Sequence, residues 1–147
     1  MATARGCQVP DDRLYETENM LWYRRREDGL VAVGITAVAV AMARKVIAIT
    51  PKRAGRPIEA GQAVAVVESG KLVASARTPF AADVVESNED LLDRPDAVNR
   101  DPYGTWVVVL RFADWDAVKA RLVEADAAAA AFERRMEAEN FKGCEAP

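Results

Sequence analysis

Lys71 stands between two runs of β-favouring residues in VVESGKLVAS (Val66–Ser75), directly after Ser69 and Gly70 and three residues after Glu68. A primary amine so placed could act as a nucleophile or as the attachment point of an acyl group. Nucleophilic lysines are usually activated by desolvation or by a neighbouring cation. Glu68 would work the other way, because a nearby carboxylate favours the charged, non-nucleophilic ammonium. Small and β-branched residues on both sides build a rigid support under an exposed turn, which suits covalent attachment better than catalysis by the amine itself. An exposed turn lysine with no role has the same local sequence, so the residues alone leave both readings open.

The other candidates for chemistry are Cys7, in GCQVPDD (Gly6–Asp12), and Cys144, near the opposite end of the chain. Neither a CxxC redox motif nor zinc-ligand spacing is available, and the chain has no histidine, which removes the commonest metal ligand and the usual general base near neutral pH. No metal site is expected. An exposed thiolate at Cys7 or Cys144 could attack a disulfide; the plainer alternative is a thiol in a mobile terminus. A bridge between the two requires the termini to meet, and a cytoplasm usually keeps such pairs reduced.

These residues need a scaffold of about one domain, which 147 residues supply. Half the residues are hydrophobic and 29% are charged, which is globular composition. The net charge is −3, and Arg24, Arg25 and Arg26 are followed by Glu27 and Asp28, so there is no basic excess to neutralise phosphates and no nucleic-acid partner is expected. The opening residues carry no targeting pattern, and the longest apolar stretch, Leu30–Val40, falls short of the roughly 20 residues of a membrane span. A cytoplasmic protein with no membrane partner is expected.

The pattern predicts a polar lead over 1–13, then a hairpin of Asn19–Arg25 and Leu30–Ile35 turning at Glu27-Asp28-Gly29. Thr36 fits the N-cap of a short helix over Ala37–Ala43, and strands follow at Val46–Thr50, Gln62–Val67, Leu72–Ala76, Ala82–Ser87 and Thr105–Phe112. From Asp114, Trp115, Val118, Leu122, Phe132 and Met136 fall at helical spacing. The alanine-rich run suits a helix packed on one side of the β structure rather than one lying on a membrane. The expected organisation is a lead over 1–13, a β domain over 14–113 and a helical extension over 114–147.

VGIT (Val33–Thr36), VVESGK (Val66–Lys71), the TPF…VVESN pattern ending at Asn88, and NRDPYG (Asn99–Gly104) together resemble the glycine cleavage system H-protein family in order and spacing. The resemblance spans roughly Leu14 to Phe112. It implies a mainly β fold with some helix, a flattened β-barrel or barrel-sandwich hybrid of the biotinyl/lipoyl-carrier type. It also implies lipoate amide-linked to the lysine matching Lys71, with Glu68, Ser69 and Gly70 around the attachment. The protein would be a carrier rather than an enzyme, modified by a lipoate-protein ligase. Acylation removes the amine's charge and leaves a flexible tether whose chemistry belongs to the cofactor.

Two branches share this pattern. In one, glycine cleavage enzymes, including dihydrolipoyl dehydrogenase, pass an aminomethyl group over the arm. In the other, the arm serves a heterodisulfide-reductase-like complex of sulfur oxidation. Gly70 before the lysine, the GCQVPDD lead followed by Tyr15, and Ala74 and Ser75 in place of a Ser-Asp pair resemble the sulfur branch more. Asn19-Met20-Leu21-Trp22 lacks the usual histidine before the tryptophan, Thr105-Trp106 lacks a residue and a glycine, and the C-terminal extension is longer than the family's norm. Glu68, Asp83 and Glu86 are read as acidic neighbours that present the lysine to its ligase, and Asn88 and Asn99–Tyr103 as braces for turns. A binding or scaffold protein without cofactor is the alternative from a different class.

Overall fold

A computed structural model describes residues 1–144. The predicted first hairpin forms as β4 (Leu21–Arg25) and β5 (Val31–Ile35), closed where Arg26 donates to Leu30 O (2.7 Å) and Gly29 adopts a left-handed φ of 84°. Gly34 on β5 lies directly under the Trp22 indole, and a Cβ there would overlap the ring. Thr36 caps α1 (Ala37–Ala43), its hydroxyl accepting from Ala39 N.

The chain continues through β6 (Val46–Pro51), β7 (Pro57–Ile58), β8 (Ala63–Ser69), β9 (Val73–Arg77) and β10 (Ala82–Ser87). Two single-turn helices follow, α2 (Asp90–Asp93) and α3 (Ala97–Arg100), and then β11 (Trp106–Arg111). With β3 (Leu14–Glu16), the strands form a six-stranded sheet, β3-β4-β5-β11-β10-β7, and a three-stranded sheet, β6-β8-β9. The two do not close into one hydrogen-bonded barrel, so the fold is a flattened antiparallel sandwich. Its core is made by inward residues of both sheets, among them Tyr23, Val33, Ile49, Val64, Val67, Val84 and Leu110. Deep in it the Tyr23 hydroxyl shares a 2.7 Å hydrogen bond with Thr78 Oγ1, and burial pushes its pKa well above the ordinary tyrosine value.

The N-terminal end of the chain departs from expectation. The predicted polar lead is a hairpin, β1 (Ala2–Ala4) and β2 (Cys7–Val9), whose Ala4, Cys7 and Val9 are fully buried. Every second residue faces the interior, a strand period too short to stand out in twelve mixed residues. The C-terminal quarter is helical as expected, in two helices. α4 (Trp115–Lys119) is capped by Asp114, and the chain then extends so that Val123 exchanges two 2.9 Å backbone hydrogen bonds with Tyr15 before α5 (Ala125–Ala138) begins.

The inward stripe of α5 is Ala125, Ala128, Ala129, Phe132 and Met136, spaced i, i+3, i+4, i+7. It packs on the N-terminal hairpin, Tyr15, Trp22 and Val38 as a second hydrophobic cluster, with Phe132 edge-on to Tyr15. The helix therefore lies on one side of the sandwich, as its composition suggested, but it rests on residues that the sequence placed in a lead segment. No helix of the described residues is long and apolar enough to cross a membrane.

Candidate functional site

β8 and β9 pair antiparallel, and the chain reverses between them through Ser69–Leu72. The buried Ser69 organises this turn. Its backbone N–H donates to Leu72 O (2.8 Å), and its hydroxyl oxygen accepts from the backbone N–H of both Lys71 and Leu72 (3.2 Å each). A serine that satisfies two turn amides fixes the backbone from which the lysine projects. Lys71 itself is exposed. None of the ion pairs among the described residues engages its amine.

Gly70 has a different role from the one a turn glycine usually plays. A Cβ there would meet nothing within 4 Å, and its φ lies outside the left-handed region. Neither backbone nor space demands a glycine, so its consequence is a bare surface beside the lysine. Glu68 is exposed on β8, across from Val73, and makes no ion pair with Lys71.

The expected acidic grouping around the lysine does not form. Glu86 bonds Arg26 (2.8 Å), which also holds Asp28, and Asp83 pairs in register with Arg111 and Pro57; both lie on the six-stranded sheet. The asparagines brace turns as read. Asn88 Nδ2 donates to Trp106 O (2.7 Å), while Asn99 accepts from Val46 N and donates to Arg44 O (2.9 Å each), fixing the α1–β6 turn where Arg44 takes a φ of 68°. Burial pushes Tyr103 up to about 12, so its hydroxyl stays protonated and donates to Gln8 O (2.5 Å).

Cys7 and Cys144 need the largest correction. They are joined as a disulfide with Cα atoms 4.9 Å apart, and Cys7 is fully buried in the second cluster. Neither presents a free thiol, because the lead segment folds as a hairpin and the turn after α5 reaches back to it.

Beside the lysine runs a groove of about 400 Å³. Lys71, Leu72 and Ala74 from the hairpin line one side, the buried Leu21, Ile35 and Val40 lie beneath, and Arg135, Glu139 and Phe141 come from the C-terminal end. Arg135 is ion-paired with Glu139 and donates to Glu18 O (3.1 Å). Sequence reasoning missed these C-terminal residues, since nothing local ties them to a turn more than sixty positions away. An acyl chain on Lys71 is compatible with these walls: the amine has no ion-pair partner among the described residues, and Leu72, Ala74 and Phe141 give it apolar side chains to lie against.

A flattened two-sheet frame that holds one unpaired lysine at a rigid hairpin tip beside a groove has the architecture of a carrier of the biotinyl/lipoyl type. Comparison with known proteins narrows the class. The glycine cleavage H-protein family model matches residues 13–135. Glycine cleavage system H protein 5 of Aquifex aeolicus is 41% identical over 133 residues, covering 88% of this chain and 90% of its own. H protein 2 of the same organism is 42% identical over 111 residues, covering 75% and 69%. The crystal structure of a glycine cleavage system H protein from Mycobacterium marinum superposes with a TM-score of 0.71 at 28% identity, over 83% of this chain and 97% of that one. The chain belongs to the glycine cleavage H-protein family. Members are lipoyl carriers rather than catalysts, with lipoate held covalently on a lysine.

Proposed function

We propose that Lys71 is the lipoyl attachment site and that the chain shuttles a group bound to the arm's sulfur between partner enzymes. The observation that carries this is the unpaired amine at the tip of the Ser69-braced turn. Lipoate would supply a dithiolane that can be reduced and can hold a group on one sulfur. The chain's own part is to hold the attachment point rigidly, with Ser69 fixing the backbone and Leu72, Ala74 and Phe141 offering apolar surface to the acyl chain. Residues 14–113 form the carrier unit, flanked by the 1–13 and 114–147 segments. A lipoate-protein ligase and dihydrolipoyl dehydrogenase are partners on either reading of the cargo.

The names of the relatives favour glycine cleavage, with the arm bearing an aminomethyl group between the enzymes of that system. A second reading, a sulfur-bound intermediate delivered to a heterodisulfide-reductase-like complex, is favoured by the hairpin wall. A cationic aminomethyl group gains from carboxylates close to the arm, yet positions 72–76 read Leu-Val-Ala-Ser-Ala. Of the groove's carboxylates, Glu18 and Glu139, the second is paired with Arg135.

The test loads the lipoylated chain with glycine and glycine decarboxylase and reads its intact mass. An aminomethyl increment that appears only with glycine establishes the first reading. A chain that is lipoylated, takes no aminomethyl group and gains sulfur from a reduced sulfur donor establishes the second. Glu68→Gln is expected to slow lipoylation about threefold, as loss of one rim charge slows association; a rate equal to wild type would show that this charge has no part.

A further inference from the structure

In an antiparallel sheet covered on one side, outward positions are ordinarily polar. Near the lysine several are apolar. Six large apolar side chains are exposed among the described residues, and four of them belong to the three-stranded sheet or its tip: Ile47 (58%), Val66 (40%), Leu72 (38%) and Val73 (67%). The others are Met1, at the terminus, and Leu92, on α2. Cross-strand register sets Glu68 opposite Val73 and Val66 opposite Ser75, with Ala48 and Thr50 beyond them on β6. Ile47 stands exposed at the irregularity between Val46 and Ala48. Strand propensity accounts for branched side chains here, but threonine would satisfy it as well. Glu68 is the charge on this outward face nearest the hairpin tip, and Arg77 stands at the far end of β9, where it donates to Gly61 O (3.0 Å).

The position of the face names its occupant. An enzyme that acylates Lys71 must bring its active site to an amine only four methylenes from the backbone, so it has to lie against the hairpin. Enzymes that meet the loaded arm are freed from that requirement, because the tether extends its reach. We infer that the outward face of the β6-β8-β9 sheet at its lysine end, built on Ile47, Val66 and Val73 with Glu68 as the charge nearest the tip, is the docking surface of the lipoylating enzyme. That enzyme's matching surface is apolar, with a cation opposite Glu68. The inference rests on the reading of Lys71 as the attachment site. In the reaction so served, lipoate is presented as its adenylate and the deprotonated amine attacks the acyl carbon. The amide C–N bond forms, the bond from acyl carbon to phosphate oxygen breaks, AMP leaves and the amine's proton passes to solvent.

The experiment follows lipoyl mass on the unmodified full chain with lipoate, ATP and a lipoate-protein ligase. Ile47→Ser/Val73→Ser is expected to lower the initial rate about tenfold at low carrier concentration, with the difference vanishing at saturating carrier, because docking rather than transfer is weakened. Leu92→Ser, equally exposed but on α2, should match wild type. Val73→Thr keeps shape and strand preference, so it preserves the test if the double variant loses its fold, and is expected to slow the reaction about threefold. Wild-type rates in the serine pair and the threonine variant at low concentration would overturn the surface alone. A wild-type chain that gains no lipoyl mass would overturn the attachment reading and this surface with it.

Discussion

Lys71→Arg is expected to yield a folded chain that acquires no lipoyl group at all, against full modification of the wild type. Arginine keeps the length and the charge, but its guanidinium stays protonated at any accessible pH and cannot attack an acyl carbon. The fold should not respond, since Lys71 is exposed and its amine has no ion-pair partner among the described residues, while the turn is held by Ser69 and backbone atoms. Lys45, Lys52, Lys119 and Lys142 remain as alternative amines, and none stands at a hairpin tip. Intact mass with peptide mapping checks both halves of the expectation. A lipoyl increment on the arginine variant would move the attachment elsewhere, and a collapsed melting transition would mean that the lysine supports the fold.

What could be read from the sequence follows the range of the interactions involved. The hairpin around Lys71, the Thr36 cap and the strand before Asp114 are set by local periodicity and turn chemistry, and they form within one or two residues of expectation. The N-terminal hairpin was missed because three-residue strands carry almost no periodic signal, and Ala4, Cys7 and Val9 become core only once α5 covers them. The break after α4 was invisible for the same reason. Trp115, Val118 and Leu122 keep helical spacing, but pairing of Val123 with Tyr15 depends on a segment more than a hundred residues earlier. At the site, the lysine and Ser69 could be read, whereas the groove's C-terminal wall could not. Glu68, Asp83 and Glu86 looked like one acidic group because sequence distance does not say which sheet a strand joins.

The second large effect comes from the termini. Reducing the Cys7–Cys144 disulfide, or replacing Cys144 with serine, is expected to lower stability by about 2–5 kcal/mol, because the bridge closes a loop with a sequence separation of 137 and removes that freedom from the unfolded chain. For a domain of this size the melting temperature should fall about 5–15 °C. The folded ends are shaped to keep the bridge. Arg5 Nη1 donates to Phe141 O (2.7 Å), Cys144 N donates to Arg5 O (3.0 Å), and Gly143, at a φ of 121°, passes so close to Arg5 that a Cβ would overlap it. Released, this turn loses its covalent tie and keeps only hydrogen bonds, those to Arg5 and the local Phe141 N to Met136 O (2.8 Å), so amide exchange over 139–144 should rise well before global unfolding. Lipoylation of Lys71 should not slow, since β8 and β9 are anchored in the sandwich core through Val64 and Val67 while the bridge belongs to the second cluster. Equal melting temperatures with and without reductant would show that α5 and the N-terminal hairpin hold each other by packing alone. A parallel loss of lipoylation would show instead that the groove's C-terminal wall, through Phe141, takes part in presenting the lysine.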